Sequence, residues 1–176
     1  MSSARGVLVV VLAVGGAMAA PVSAEVPASV DATAFPNYHV IRPGLAAAGQ
    51  PSAEGLAQLK ALGFKTVVNL RTEQEGAKDE EAVVKAAGLA YVSVPVTAET
   101  LSRADVDAVG RVLNDPTAGP VLLHCASANR VGALWALLQV RQGKTLEEAE
   151  AEGRAIGLKS PALVEAVRKL AVAPSP

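Results

Sequence analysis

Short apolar runs alternate with amphipathic stretches along most of this chain, and this alternation constrains its fold more than any other feature. Apolar and β-branched runs predict strands at residues 66–70, 91–94 and 121–124, and a shorter strand that ends at residues 46–49. Segments with helical spacing of apolar residues lie between them. Strands that alternate with helices favour a mostly parallel sheet covered by helices on both faces. We therefore expect a single-domain α/β fold with a central sheet of about four to five strands.

Capping residues and glycines mark where the intervening helices begin and end. Helices are predicted at residues 53–62, 75–87, 102–113 and 130–142, and two more begin at Thr145 and Ser160. In parallel sheets, ligands bind beyond the carboxyl ends of the strands. Functional residues are therefore expected just after each predicted strand.

The composition excludes several classes of protein. The chain has 176 residues, 51% of them hydrophobic, which suits one domain with a buried core. With 16 Lys and Arg against 17 Asp and Glu, and only 3% aromatic residues, it lacks the surface of a nucleic-acid-binding protein. One Cys and two His exclude a disulfide and a zinc site built from these residues. We predict no metal, no cofactor and no nucleic-acid partner.

The amino-terminal residues 1–24 have the pattern of a signal peptide. Arg5 supplies a positive charge, residues 6–20 are almost entirely apolar, and small residues follow up to Ala24. The apolar run is shorter than the roughly 20 residues that span a bilayer, which argues against the alternative of a retained membrane anchor. We therefore expect a periplasmic or secreted protein without a membrane contact after cleavage. Residues 25–36 are interpreted as a linker or loosely packed arm, and residues 37–172 as the domain.

The segment after the last predicted strand carries the chemistry. Cys125 begins a short loop of small residues, and Arg130 opens the helix that follows. Such a loop directs backbone N–H groups and the positive end of a helix dipole toward one point, which makes an anion site. The same groups favour the thiolate of Cys125, and the planar guanidinium of Arg130 suits bidentate contact with an oxyanion. The pattern predicts a nucleophile within an anion site.

Structural explanations exist for each of these residues. Cys125 could be a small core residue, and Arg130 a solvated residue in the first turn of a helix. A cation in that turn opposes the helix dipole, however, so a bound anion explains Arg130 better. His124 is interpreted as a hydrogen-bonded histidine beneath the loop rather than a general base, and Trp135 as a core residue.

Several motifs together resemble a known family. They are the His-Cys-x4-Arg loop at residues 124–130, Val-Val-Asn-Leu-Arg at 67–71, residues 91–95, and Ala-Gly-Gln-Pro at 48–51. Over residues 37–142 the chain resembles the bacterial phosphatase-like domain of beta-lactamase hydrolase-like proteins, a branch of the Cys-dependent dual-specificity and tyrosine phosphatase superfamily. The resemblance implies a phosphatase-type fold in which Cys125 forms a phosphocysteine. Phosphate would be bound by Arg130 and by the loop amides at Ala126, Ser127, Ala128, Asn129 and Val131.

The loop departs from the superfamily pattern in three ways. Four residues separate Cys125 from Arg130 instead of five, a length similar to that of rhodanese sulfurtransferase loops. Ala128 stands where a glycine is usual, which would cost about 1–2 kcal/mol if the backbone there has a positive φ. Val131 replaces the usual hydroxyl residue after the arginine.

Candidate residues outside the loop follow the other strands. Residues 95–102 contain no Asp, so Glu99 is the candidate general acid. Arg71 and Glu73 should approach the same sheet edge as Cys125, where they could contact substrate or pair with each other. Gln50 could also contact substrate, or could be a turn residue before a proline.

These residues predict an exported phosphatase that hydrolyses phosphomonoesters, with phosphotyrosine or phosphoserine proteins as candidate substrates. The partner would be a small phosphorylated or sulfur-containing anion, or a phosphoprotein. Two alternatives use the same loop: a sulfurtransferase or persulfide-handling protein with Cys125 as the reactive thiol, and a non-catalytic anion-binding module.

Overall fold

The computed structural model describes residues 25–172, and it contains one five-stranded sheet. The strands are β1 (His39–Arg42), β2 (Leu45–Ala48), β3 (Thr66–Asn69), β4 (Ala90–Ser93) and β5 (Val121–His124). Their spatial order is β1-β2-β5-β3-β4, so β5 lies at the centre. The pairing of β1 with β2 is antiparallel and the other pairings are parallel. The expected α/β fold with a mostly parallel sheet is confirmed.

Helices cover both faces of the sheet. They are α1 (Ala53–Gln58), α2 (Ala77–Ala86), α3 (Arg103–Asn114), α4 (Asn129–Arg141), α5 (Leu146–Ile156) and α6 (Pro161–Val172). Successive residues of β5 point to opposite faces, so Leu123 packs in a large core cluster with α4 while Leu122 packs in a smaller one with Leu56 of α1. None of the described helices is long and apolar enough to cross a membrane.

Several predicted boundaries differ from the structure. Strand β1 was not predicted, because its residues alternate between partly buried and exposed and include His39 and Arg42. The predicted helix 75–87 begins later, at Ala77, after a 3₁₀ turn at Glu73–Glu75. Gly76 separates the two with a φ of 86°, a left-handed conformation that cannot continue a right-handed helix.

The segment at residues 25–36, interpreted as a linker or loosely packed arm, is packed against the domain near both of its ends, and Val26 is only 7% exposed in the smaller core cluster. Phe35 is only 1% exposed and Ala34 only 3%, because both pack in the smaller core cluster. An aromatic side chain of this size removes a large apolar area from water, which favours a fixed position. The N–H of Gly49 donates to the carbonyl of Pro36 at 2.7 Å, so this segment also supports the end of β2. The predicted signal peptide lies outside the described residues.

Helices α4 and α5 approach closely at two glycines. A Cβ atom placed on Gly132 would lie 2.3 Å from the carbonyl oxygen of Gly153, closer than any real contact. The absence of side chains at these positions lets α5 pack directly against the first turns of α4. This contact fixes the start of α4 at the carboxyl edge of the sheet.

Candidate active site

The loop that begins with Cys125 lies at the middle of the carboxyl edge of the sheet. It connects the central strand β5 to α4, and the Cys125 side chain is fully buried. Chain connectivity therefore places the thiol just before the amino terminus of α4, where the helix dipole favours a negative charge. The structure has Cys125 and this helix in the arrangement that the sequence predicts.

Neighbouring segments orient the peptide groups of the loop. The carbonyl of Ala126 accepts a hydrogen bond from the N–H of Gln50 at 3.1 Å. The carbonyl of Ser127 accepts one from Nδ2 of Asn37 at 3.4 Å. With the carbonyls bound on this side, the N–H groups of residues 126, 127 and 129–131 have no hydrogen-bond acceptor among the described residues. These five donors can bind an anion.

Ala128 has the positive φ for which the sequence analysis expects strain. Its φ of 63° lies in the left-handed region, at the position just before α4. A non-glycine residue there carries a cost of about 1–2 kcal/mol. The buried methyl group of Ala128 lies against Gly157. If Gly157 carried a Cβ atom, that atom would lie only 3.1 Å from the Ala128 methyl group. The loop is therefore held in this conformation by the packing of the chain around it.

Arg130 is fixed by a carboxylate and two carbonyl groups. Its Nη2 and Nη1 donate to Oε1 and Oε2 of Glu75 at 2.6 and 2.8 Å. Nη1 also donates to the carbonyls of Val96 at 3.0 Å and Leu70 at 3.2 Å. These contacts use the edge formed by Nη1 and Nη2. The adjoining edge, formed by Nη2 and Nε, has no protein oxygen bound to it in the described part of the chain.

The pairing of Arg130 with Glu75 shifts the pKa values of both residues. The hydrogen bond from Arg130 is the main reason that the pKa of Glu75 is lowered to about 2. The same contact raises the pKa of Arg130, and the negative charge of the Cys125 thiolate and a hydrogen bond to it raise that pKa further. Arg130 therefore lies beside the thiol, as the sequence predicts. Glu75 was not among the predicted site residues, although Thr72-x-x-Glu75 has the spacing of a capping box and could have directed attention to it.

Arg71 does not occupy the position that the sequence predicted for it. It is 4% exposed, and its Nη1 donates to Oε2 of Glu80 at 2.9 Å, so it neither pairs with Glu73 nor reaches solvent to bind substrate. Burial explains the difference, because a guanidinium removed from water requires a carboxylate partner.

Glu80 joins the ends of two strands beneath the loop. Its Oε1 accepts hydrogen bonds from Nε2 of His124 at 2.7 Å and Nδ2 of Asn69 at 2.9 Å. His124 is thus a buried, hydrogen-bonded residue below the loop, which agrees with the structural interpretation. Glu80 was also missed by the sequence analysis, because its partners lie on other elements, with His124 44 positions away along the chain.

Two predicted substrate-binding residues, Asn129 and Val131, have structural roles for their side chains. Asn129 uses its side-chain Oδ1 to accept hydrogen bonds from the N–H groups of Lys159 at 3.1 Å and Ser160 at 3.2 Å. It therefore fixes the connection between α5 and α6 beside the loop. Val131 is fully buried and packs in the core.

Glu99, the predicted general acid, lies at the surface. Its carboxylate accepts a hydrogen bond from the hydroxyl of Thr97 at 2.7 Å. This bond lowers the pKa of Glu99, whereas a general acid at neutral pH needs a raised pKa. The structure gives Glu99 no feature of an acid catalyst, and its catalytic role stays a prediction.

The comparison with family models assigns the chain to a family of phosphatases. The model described as "DSP-PTPase phosphatase fused to NAD+ Kinase" matches residues 31–166. The chain belongs to this family. It is a hydrolase of the protein-tyrosine and dual-specificity phosphatase type, as the fold and the cysteine loop also indicate.

Curated relatives of this chain are beta-lactamase hydrolase-like proteins. A beta-lactamase hydrolase-like protein from Xylella fastidiosa is 37% identical over 119 residues, which are 64% of this chain and 27% of that protein. The chain thus spans about a quarter of the length of the curated relatives it matches. The resemblance found in the sequence is confirmed.

Solved structures of two phosphatases share the fold. TpbA from P. aeruginosa is 28% identical with a TM-score of 0.63, over 81% of this chain and 86% of TpbA. TpbA has also been solved in complex with pTyr, at 26% identity over 87% of this chain and 91% of TpbA. The core catalytic domain of the PP-IP phosphatase SIW14 from S. cerevisiae is 17% identical with a TM-score of 0.61, over 76% of this chain and 85% of the SIW14 chain. At this identity the similarity shows the fold alone.

Proposed function

We propose that this chain hydrolyses phosphomonoesters through a phosphocysteine formed on Cys125. The observation that carries the proposal is the set of five unbonded loop N–H groups around the thiol, together with the open edge of Arg130. Together they match the oxygens of a phosphoryl group, whose charge they stabilise during transfer. The pTyr bound by TpbA supports phosphotyrosine as one substrate of this site.

The reaction balances in two displacements. In the first, the Cys125 thiolate attacks phosphorus, the bond to the ester oxygen breaks, and the leaving alkoxide or phenoxide takes up a proton from solvent water. In the second, water attacks the phosphocysteine, the phosphorus–sulfur bond breaks, and the thiolate is regenerated as inorganic phosphate leaves. Among the charged residues tied to the loop, Glu75 and Glu80 are engaged with Arg130, Arg71 and His124. The proposed site therefore favours leaving groups that need little protonation, such as phenols.

A sulfurtransferase is the second candidate function, because the Cys-x4-Arg loop has the length found in rhodanese loops. In that reaction the Cys125 thiolate would take a sulfur atom from a donor such as thiosulfate and form a persulfide, with sulfite leaving. The anion site of the loop would bind the donor.

Mass spectrometry of the trapped protein separates the functions. The protein is quenched during turnover of an aryl phosphate and, separately, after incubation with thiosulfate. We expect a phosphoryl adduct on Cys125 in the first sample and no persulfide in the second, with no adduct on the Cys125→Ser variant. A persulfide alone would favour the sulfurtransferase. A protein that binds inorganic phosphate, forms neither adduct and releases no phosphate would be an anion-binding module.

We also propose that the chain is exported and that its mature form begins at Glu25, on the pattern of residues 1–24. The intact mass of the protein recovered from periplasm and culture medium tests this. Recovery of the full 176-residue chain from the membrane fraction would contradict it.

A further inference from the structure

Four segments surround the catalytic loop, and we call them the rim: residues 50–54, 71–76, 96–100 and 157–160. Each is tied to the loop or to Arg130 by a hydrogen bond described above. Asn37 also binds the loop but carries no charge. The charged side chains of the four rim segments are therefore the candidates to meet a substrate whose phosphoryl group lies in the loop.

The guanidinium groups of the rim and loop are already neutralised. Arg71 is bound to Glu80 at 2.9 Å in the interior, and Arg130 is bound to Glu75 through two nitrogens. Only the open edge of Arg130 faces an incoming anion, and the transferred phosphoryl group uses it. Neither arginine is available for a second phosphate.

The exposed charges of the rim are mostly negative. Glu54, Glu73 and Glu99 are exposed, and no cation is bound to their carboxylates among the described residues. The pKa of Glu54 is lowered by a hydrogen bond from its own backbone N–H and by the hydroxyl of Ser52, and that of Glu99 by the hydroxyl of Thr97, so both carry a charge at neutral pH. Lys159 is the rim's exposed cation, and no carboxylate is bound to it in the described part of the chain. Three carboxylates thus oppose one ammonium group.

We propose that this rim makes the site selective for substrates with a single phosphoryl group in neutral or cationic surroundings, and that it disfavours polyphosphates. The inference rests on the function proposed above and adds the substrate class. A second phosphate on the substrate would lie among carboxylates with no arginine to bind it, whereas Lys or Arg residues beside a phosphotyrosine would meet charges of opposite sign.

Binding to the Cys125→Ser variant of the chain tests the rim without turnover. Two phosphotyrosine peptides of equal length, one with Lys and one with Glu on both sides of the phosphotyrosine, are titrated by fluorescence anisotropy. We expect the Lys peptide to bind about 3–10-fold more tightly at low ionic strength, with a smaller ratio at high salt because exposed charges are screened. Inositol hexakisphosphate, a polyphosphate, should compete weakly with either peptide.

Charge reversals at the rim locate the effect. Glu73→Lys should reduce the ratio of the two affinities, and Lys159→Glu should increase it. Glu147→Lys is the matched control, because it makes the same charge change in the first turn of α5, about 15 Å along the helix from the rim segment at its other end. The control should leave the ratio unchanged.

Each outcome decides between the two proposals. Equal affinities, tighter binding of the Glu peptide, strong competition by the polyphosphate, or an equal effect of the control would overturn the rim proposal. Turnover of an aryl phosphate by the unsubstituted protein is measured separately. Turnover without peptide selectivity removes the rim proposal alone, selectivity without turnover removes the phosphatase alone, and the loss of both removes both.

Discussion

The carboxylate of Glu75 binds both terminal nitrogens of Arg130, at 2.6 and 2.8 Å, although the two residues are 55 positions apart in the sequence. A bidentate pair of this kind fixes the plane of the guanidinium as well as its charge. Because Glu75 takes one edge of the guanidinium and leaves the adjoining edge open, it acts as a positioning residue for Arg130 rather than as a competitor of phosphate.

The first prediction concerns this pair. Glu75→Gln should lower kcat/KM for an aryl phosphate about tenfold, because the neutral amide no longer holds the guanidinium plane through two charge-assisted bonds. Arg130→Lys should cost more, since an ammonium group cannot offer a bidentate edge. Steady-state kinetics measure both changes. Glu147→Gln, the same chemical change on the surface of α5, is the control, and an equal loss there would remove the positioning role.

The second prediction follows from the pKa of Glu75, which lies at about 2 in the folded protein and near 4.5 when unperturbed. A carboxylate whose pKa is lowered by folding stabilises the protein above its unfolded pKa, and the contribution disappears as the pH falls through the folded value. The free energy of unfolding should therefore decrease more steeply between pH 4.5 and 2 for the unsubstituted protein than for Glu75→Gln. Urea unfolding at several pH values measures the two slopes, and parallel curves would contradict the assignment.

Most of the central sheet could be predicted because its signal is local. The runs around Val68 and Leu123 are buried on both sides and consist of residues that favour strands, so a short window of sequence suffices. Strand β1 and the packed segment at Phe35 gave weak signals, because one is half-exposed and the other is a single aromatic residue among Pro, Ala and Ser. Their positions depend on contacts with distant parts of the chain.

The site also contains residues that a local sequence signal predicts and residues that it misses. Cys125 and Arg130 could be predicted since both lie in one loop whose backbone geometry follows from a strand, a short turn and a helix. The pairing of the carboxylates that hold the site could not, because Glu75 contacts Arg130 across 55 positions and Glu80 contacts His124 across 44, and no spacing rule connects them. The sequence offers substrate or Glu73 as the partner of Arg71 and misses Glu80 for the same reason, because the packing of α2 against the sheet fixes that pair.

The third prediction concerns the buried pair of Glu80 and Arg71. Glu80→Met should destabilise the protein by about 3–5 kcal/mol, because it leaves a buried guanidinium without its carboxylate. The double variant Glu80→Met/Arg71→Met should recover part of this loss, since it removes the unpaired charge as well. Urea unfolding measures these changes. Glu81→Met, at the next position of α2 and paired with Lys85 at the surface, should have little effect, and a double variant no more stable than Glu80→Met would argue against the pairing.

The last prediction tests whether Glu99 acts as the general acid. General acids typically contribute 10²–10⁴-fold to the rate, and the contribution is largest where the leaving group is poor. Glu99 is exposed and its pKa is lowered by the Thr97 hydroxyl, so at neutral pH it has no proton to donate. We therefore expect Glu99→Gln to change kcat by less than about tenfold on alkyl and aryl phosphates alike. We also expect the unsubstituted protein to hydrolyse aryl phosphates much faster than alkyl phosphates, because no acid assists the poorer leaving group. Steady-state kinetics on one substrate of each type give both comparisons. A loss of 10²-fold or more confined to the alkyl phosphate would show that the loop at residues 96–100 rearranges during catalysis and that Glu99 is the acid after all.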